Sequence, residues 1–184
     1  MNVNMTQIQY VKLIQLCRKS RKEISGIMNT CVKDENVFIT DIKLDENDVI
    51  ESANSHEIIY NNKEYITKVI YELAFFNSPV YIRFHTHPII ASTTNMSNAD
   101  INLLEYVQSL TDKVHKINSN SSTKVVEAII TNSEIAFYTY DLDSKNLIKL
   151  PLFVDGVRKV PNIEKSKFQI FKDGFLEGRR RLNR

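Results

Sequence analysis

The sequence is poor in the residues that build several familiar kinds of site. It has two cysteines, Cys17 and Cys31, in no CxxC pair and no regular framework. That excludes a disulfide scaffold and a cysteine-based redox or metal motif, and both thiols are expected to be reduced. Glycine and proline number four each, too few for a collagenous or low-complexity chain. Neither GxGxxG nor GxxxxGKS/T occurs, which leaves a nucleotide-dependent mechanism without support. The longest apolar runs, such as Ala74-Phe75-Phe76, fall far below the roughly 18 residues of a bilayer span. The opening stretch Met1 to Ser20 is interrupted by Asn, Gln and Lys and lacks the apolar centre of a secretory signal; a cytoplasmic protein with no membrane partner is expected. No internal repeat is found, and 184 residues are too few for a full (β/α)8 barrel of about 250.

What is present suits one ordinary globular domain: 42% hydrophobic and 25% charged residues. The net charge of +2 is unevenly spread. Residues 1–22 contain Lys12, Arg18, Lys19, Arg21 and Lys22 with no acid, the last 22 residues are also basic, and the span between is acidic. Two basic ends would suit an acidic partner or nucleic acid. Lysines and arginines that end a helix and complement its dipole are the simpler account, so no nucleic-acid partner is expected.

Ile8, Val11, Ile14 and Cys17 recur every three residues and predict an amphipathic helix over 5–20. Residues 24–32 and 37–44 read as an antiparallel pair around the turn 33–36, and 45–62 is polar and unassigned. Ile66, Val69, Ile70, Leu73 and Ala74 predict a helix over 63–76, stopped by Asn77-Ser78-Pro79. A strand over 80–87, a helix over 98–110, a loop near 118–122 and a hairpin of 124–131 with 135–141 follow. A shorter strand is expected within 147–154, and the last twenty residues read as helical. Hairpins interspersed with helices point to an α+β fold, a mixed β-sheet sandwiched by helices, rather than a doubly wound parallel sheet.

The chemistry is concentrated in Arg83-Phe84-His85-Thr86-His87-Pro88 and Ser97-Asn98-Ala99-Asp100. Strand alternation puts His85 and His87 on one side and Thr86 on the other. Two neutral imidazoles suit a divalent metal such as zinc, which in catalytic sites takes three protein ligands and leaves a position to water. Asp100, at the start of the next helix, is the candidate third ligand. Ser97 and Asp100 also make a reasonable helix cap, and an HxH pair alone is weak. The order His-x-His-Pro, loop, Ser-x-x-Asp is more specific than either half.

In these residues, with Glu23 upstream in Glu23-Ile24-Ser25-Gly26, the chain resembles the JAMM (JAB/MPN) metalloprotease family, over roughly residues 5–140. The resemblance implies a JAB/MPN-like, cytidine-deaminase-like layering and a metalloprotease domain over 1–155, with 156–184 left as a basic, helical extension. It implies that His85, His87 and Asp100 bind Zn2+, that Glu23 handles the proton of the attacking water, and that Ser97 helps hold the oxyanion. Twelve residues separate His87 from Asp100, more than the family pattern, and Met96 stands where a proline often precedes the serine; the extra residues are placed in the loop 89–95. The amidohydrolase and PHP phosphoesterase families share the HxH pair only, and just one histidine, His115, follows it here.

The implied reaction is zinc-dependent hydrolysis of a peptide or isopeptide bond at the tail of a ubiquitin-like or sulfur-carrier protein, with an activating enzyme as an associated partner. The small single-domain form is most similar to bacterial JAB proteins. The alternative is a non-catalytic scaffold of the same fold. Tyr81 and Phe84 read as strand packing, and His56 and His115 as ordinary histidines.

Overall fold

The computed structural model of the chain describes residues 1–46, 50–54, 58–60, 62–75, 79–88, 93–118 and 123–159. It is an α+β structure. The elements, in chain order, are β1 (Asn2–Met5), α1 (Gln7–Lys19), β2 (Ser25–Lys33), β3 (Asn36–Leu44), β4 (Ile50–Ala53), β5 (Ile58–Tyr60), α2 (Asn62–Phe75), β6 (Val80–His87), α3 (Asn98–Asn118), β7 (Lys124–Thr131), β8 (Ile135–Asp141), β9 (Asn146–Leu150), β10 (Leu152–Val154) and β11 (Val157–Lys159). Nine strands form one mixed sheet in the order β11-β10-β1-β3-β2-β6-β7-β8-β9, and β4 pairs with β5 in a separate ribbon.

The alternation of β6 and β7 sorts the sheet into two faces. Val80, Ile82 and Phe84, with Val126, Ala128 and Ile130, pack with Leu13, Ile14 and Cys17 of α1. Tyr81, Val125 and Ile129 face the other way, into a core with Tyr65, Val69 and Leu73 of α2 and Leu104 and Val107 of α3. The odd-numbered face of β6, which carries His85 and His87, therefore lies on the side covered by two helices.

The hairpins β2–β3 and β7–β8 are antiparallel, as their sequences predict, but β6 and β7 run parallel in full register from Val80↔Lys124 to His87↔Thr131. The helix spanning residues 98–118 is that connection; a parallel pair needs such a crossover. It continues past the predicted end at residue 110, and there Thr111 is fully buried and donates its hydroxyl to the Val107 carbonyl at 2.7 Å.

Other expectations need correcting. The first helix begins at Gln7, capped by Thr6 and Gln9 in a capping box, because residues 2–5 form β1, parallel to both β3 and β10. Its buried side is Leu13, Ile14 and Cys17, so the expected stripe is packed at Ile14 and Cys17 but faces solvent at Ile8, 81% exposed, and Val11. Residues 147–154 make two strands at distant places in the sheet. Pro151 separates them, since it has no N–H to donate to a ladder, and its carbonyl accepts from Val3 N at 2.9 Å. The sheet also continues past residue 155: Asp155 and Gly156, at φ 48° and 78°, make the two-residue turn into β11. Residues 160–184, the rest of the expected helical extension, lie outside the described residues, as do His56, the turn residues 77–78 and the loop residues 119–122. Among the described residues no helix is long and apolar enough to cross a membrane.

Candidate metal centre

β6 places the two histidines and its neighbours hold them. Ser25 of β2 pairs with His85, and Thr86 N donates to the Ile24 carbonyl at 2.9 Å while Thr86 Oγ1 accepts from Ile24 N at 2.9 Å. Glu23 lies two residues before β2, close enough for its charge to act on His85. Glu23 is buried, and its backbone N–H donates to the Asn54 carbonyl at 2.6 Å. The glycine of the Glu-x-x-Gly segment is explained by packing: a Cβ on Gly26 would lie 2.1 Å from the Lys43 carbonyl oxygen and 2.7 Å from the Phe84 ring.

Asp100 reaches the histidines from the start of α3. One of its oxygens lies 3.4 Å from His85 Nε2; the other accepts from Ser97 N at 2.7 Å, and Ser97 Oγ accepts from Asp100 N at 3.2 Å. The two uses are compatible, since the cap takes one oxygen of Asp100 and the other faces His85. Because the cap uses Ser97 Oγ as an acceptor, the hydroxyl hydrogen is left for another group, and Ser97 is exposed.

The tautomers follow from the partners. His85 Nδ1 lies 2.8 Å from Glu127 Oε1, and His87 Nδ1 lies 3.2 Å from the Thr93 carbonyl oxygen. A carboxylate and a carbonyl only accept, so each Nδ1 carries a hydrogen, and in a neutral ring the lone pair is then on Nε2. The two Nε2 atoms stand 3.1 Å apart, where either a shared proton or a bound metal ion satisfies both. Ligand atoms of His85, His87 and Asp100 all lie within 4.8 Å of one another, a group that fits a metal ion. A tetrahedral ion held at about 2.0–2.1 Å sets neighbouring ligand atoms about 3.3 Å apart, close to the 3.1 and 3.4 Å found here.

Electrostatics agree with a cation site. Burial lowers the His85 pKa, but the hydrogen bond and charge of Glu127, with Asp100 and Glu23, overcome it and the net direction is upward. His87 is shifted down by burial and by the His85 charge, against the Thr93 hydrogen bond. The three carboxylates favour positive charge at His85, and burial beside His85 disfavours it at His87.

No protein-family model matches the sequence, and no curated protein matches it. Among solved structures the chain is similar to the solution structure of protein DSY2949 from Desulfitobacterium hafniense. Identity is 12%, coverage is 89% of this chain and 97% of that one, and the TM-score is 0.49.

Two parts of the surroundings escaped sequence reasoning. Glu127 is the lone acid in the buried part of β7, between Val126 and Ala128; its place in an apolar strand was the available signal. The second is a buried polar cluster next along the same face of β6. Asp45 accepts from Ser25 Oγ at 2.5 Å, Arg83 Nη2 at 2.7 Å and Lys68 Nζ at 3.0 Å. The Arg83 guanidinium lies 4.7 Å from the Tyr65 ring centroid and 5.6 Å from that of Tyr60. Tyr81 is more than strand packing, since its hydroxyl donates to Glu72; Phe84 is fully buried core. This cluster ties Ser25, two residues from Glu23, to Arg83, two residues from His85.

Proposed function

We propose that this chain is a zinc-dependent peptidase or isopeptidase of the JAMM type, in a JAB/MPN-like fold, acting on the tail of a ubiquitin-like or sulfur-carrier protein. The observation that carries the reading is the convergence of two imidazole Nε2 atoms 3.1 Å apart with the Asp100 carboxylate beside them. Between neutral rings of this tautomer a metal ion takes the place that a shared proton would otherwise fill. Two nitrogens and one carboxylate oxygen suit zinc and leave a fourth position open. When bound, zinc supplies a Lewis acid and brings the pKa of a water toward about 7.

The remaining work falls to side chains of this protein. Glu23, buried and close enough for its charge to act on His85, takes a proton from the attacking water and gives it to the leaving amine. Ser97 donates its hydroxyl hydrogen to the oxygen on which negative charge develops, an interaction worth about 2.7–4 kcal/mol in comparable sites. An extended tail offers main-chain groups that pair with a sheet edge and present the scissile carbonyl.

The test is metal analysis followed by hydrolysis of a ubiquitin-like protein carrying a carboxy-terminal extension. The native protein is expected to hold stoichiometric zinc, lost in His87→Ala. Glu23→Gln is expected to keep the zinc and lose turnover. A folded protein that stays metal-free after incubation with zinc would overturn the reading, and turnover retained in Glu23→Gln would overturn the assignment of the base.

A further inference from the structure

A carboxylate in the middle of a buried strand calls for a reason. β7 contributes Val125 and Ile129 to the core beneath α2 and α3, and Glu127 stands between them on the same face with 9% of its surface exposed. An apolar side chain would serve that core better, because a buried carboxylate loses solvation that only a well-placed partner offsets. The partner is His85. In the parallel register Arg83 lies opposite Glu127 and His85 opposite Ile129, so Glu127 reaches His85 diagonally along one face.

We propose that Glu127 is a positioning residue of the metal centre. By taking the Nδ1 hydrogen of His85 at 2.8 Å, it fixes the tautomer whose lone pair is on Nε2 and keeps the ring turned toward His87 and Asp100. A carboxylate behind a ligating imidazole does both things in general, and its loss typically costs roughly 10- to 100-fold in metal affinity. The two histidines are held differently. His87 depends on the backbone oxygen of Thr93, which no side-chain substitution removes, whereas the hold on His85 resides in one replaceable side chain. The inference rests on the metal centre and is independent of the peptide chemistry proposed for it.

The test compares the native protein with Glu127→Leu and Glu127→Gln by chelator competition for zinc and by 15N NMR of the imidazoles in the metal-free protein. Glu127→Leu is expected to bind zinc roughly 10- to 100-fold more weakly and to lose the uniform Nδ1–H tautomer at His85. Glu127→Gln, whose side-chain carbonyl still accepts, is expected to recover the tautomer and much of the affinity. Zinc affinity of Glu127→Leu within about twofold of native, or an Nε2–H tautomer at His85 in the native metal-free protein, would overturn the proposal. If Glu127→Leu does not fold, the native tautomer and Glu127→Gln decide. A native protein that binds no zinc would sink the metal reading, and the tautomer comparison would still decide whether Glu127 sets His85.

Discussion

Removing the Asp45 carboxylate should be among the most damaging single changes to this protein. The Asp45 and Arg83 side chains are 1% and 3% exposed, which puts them in the regime of buried rather than surface ion pairs. Among the described residues, Asp45→Ala leaves the Arg83 guanidinium with the Tyr60 and Tyr65 ring faces and a 3.5 Å contact to the Tyr81 hydroxyl. It also strips the buried Ser25 hydroxyl of its acceptor; Lys68, 24% exposed, turns to water. Breaking a buried pair from one side costs about 3–5 kcal/mol, a large share of a typical stability of about 5–15 kcal/mol. With a urea m-value of about 2 kcal/mol/M, the denaturation midpoint should fall by about 2 M. Replacing both partners, as in Asp45→Leu with Arg83→Met, should restore most of the loss, because no charge is then left buried and unpaired. The acid limb gives a second readout. Burial pushes the Asp45 carboxyl up, but Arg83, Ser25 and Lys68 together pull it further down, so its folded pKa lies below the ordinary value. Its contribution is therefore present above the unfolded value of about 3.9 and is lost as pH falls through the folded value. Asp45→Ala should lack that part of the acid transition. A midpoint unchanged within about 0.5 M, with the same acid limb, would refute the reasoning.

Gly26→Ala should destabilise by more than about 3 kcal/mol, beyond ordinary overpacking, since the new Cβ meets a backbone oxygen at 2.1 Å; thermal unfolding near the native midpoint would contradict the packing account. Asp100→Ala should lower metal affinity and also cost about 1 kcal/mol at the start of α3, where it accepts from Ser97 N. Asp100→Asn, which keeps a cap acceptor, should restore stability more than affinity, and equal recovery of both would mean that Asp100 is only a cap. A thiol reagent should label Cys31 at once in the folded protein and Cys17 only on unfolding. Cys17 is buried and its thiol is pushed up to about 11, chiefly by burial, whereas Cys31 is exposed; two equally fast thiols would contradict this.

The group that could hold a metal ion was legible because its parts are local. His85 and His87 share a face by strand alternation alone, and Ser97 and Asp100 lie one helical turn apart, so the sequence determines both pairs before the chain folds. The bounds of β6, β7 and β8 followed for the same reason, since each is an apolar run between breakers. Partnership across the sheet was not legible. β1 is four residues with two asparagines and exists by pairing with β3 and β10, far away in sequence. On α1 the three-residue stripe holds at Ile14 and Cys17, which are core, and fails at Ile8 and Val11, because a spacing of three drifts around a helix of 3.6 residues per turn. Glu127 and Asp45 carry no motif. What the sequence by itself determined was the set of donor atoms and their local geometry. What only the tertiary structure decided was which distant carboxylates stand behind them, because burial and hydrogen-bond partnership belong to neighbours in space.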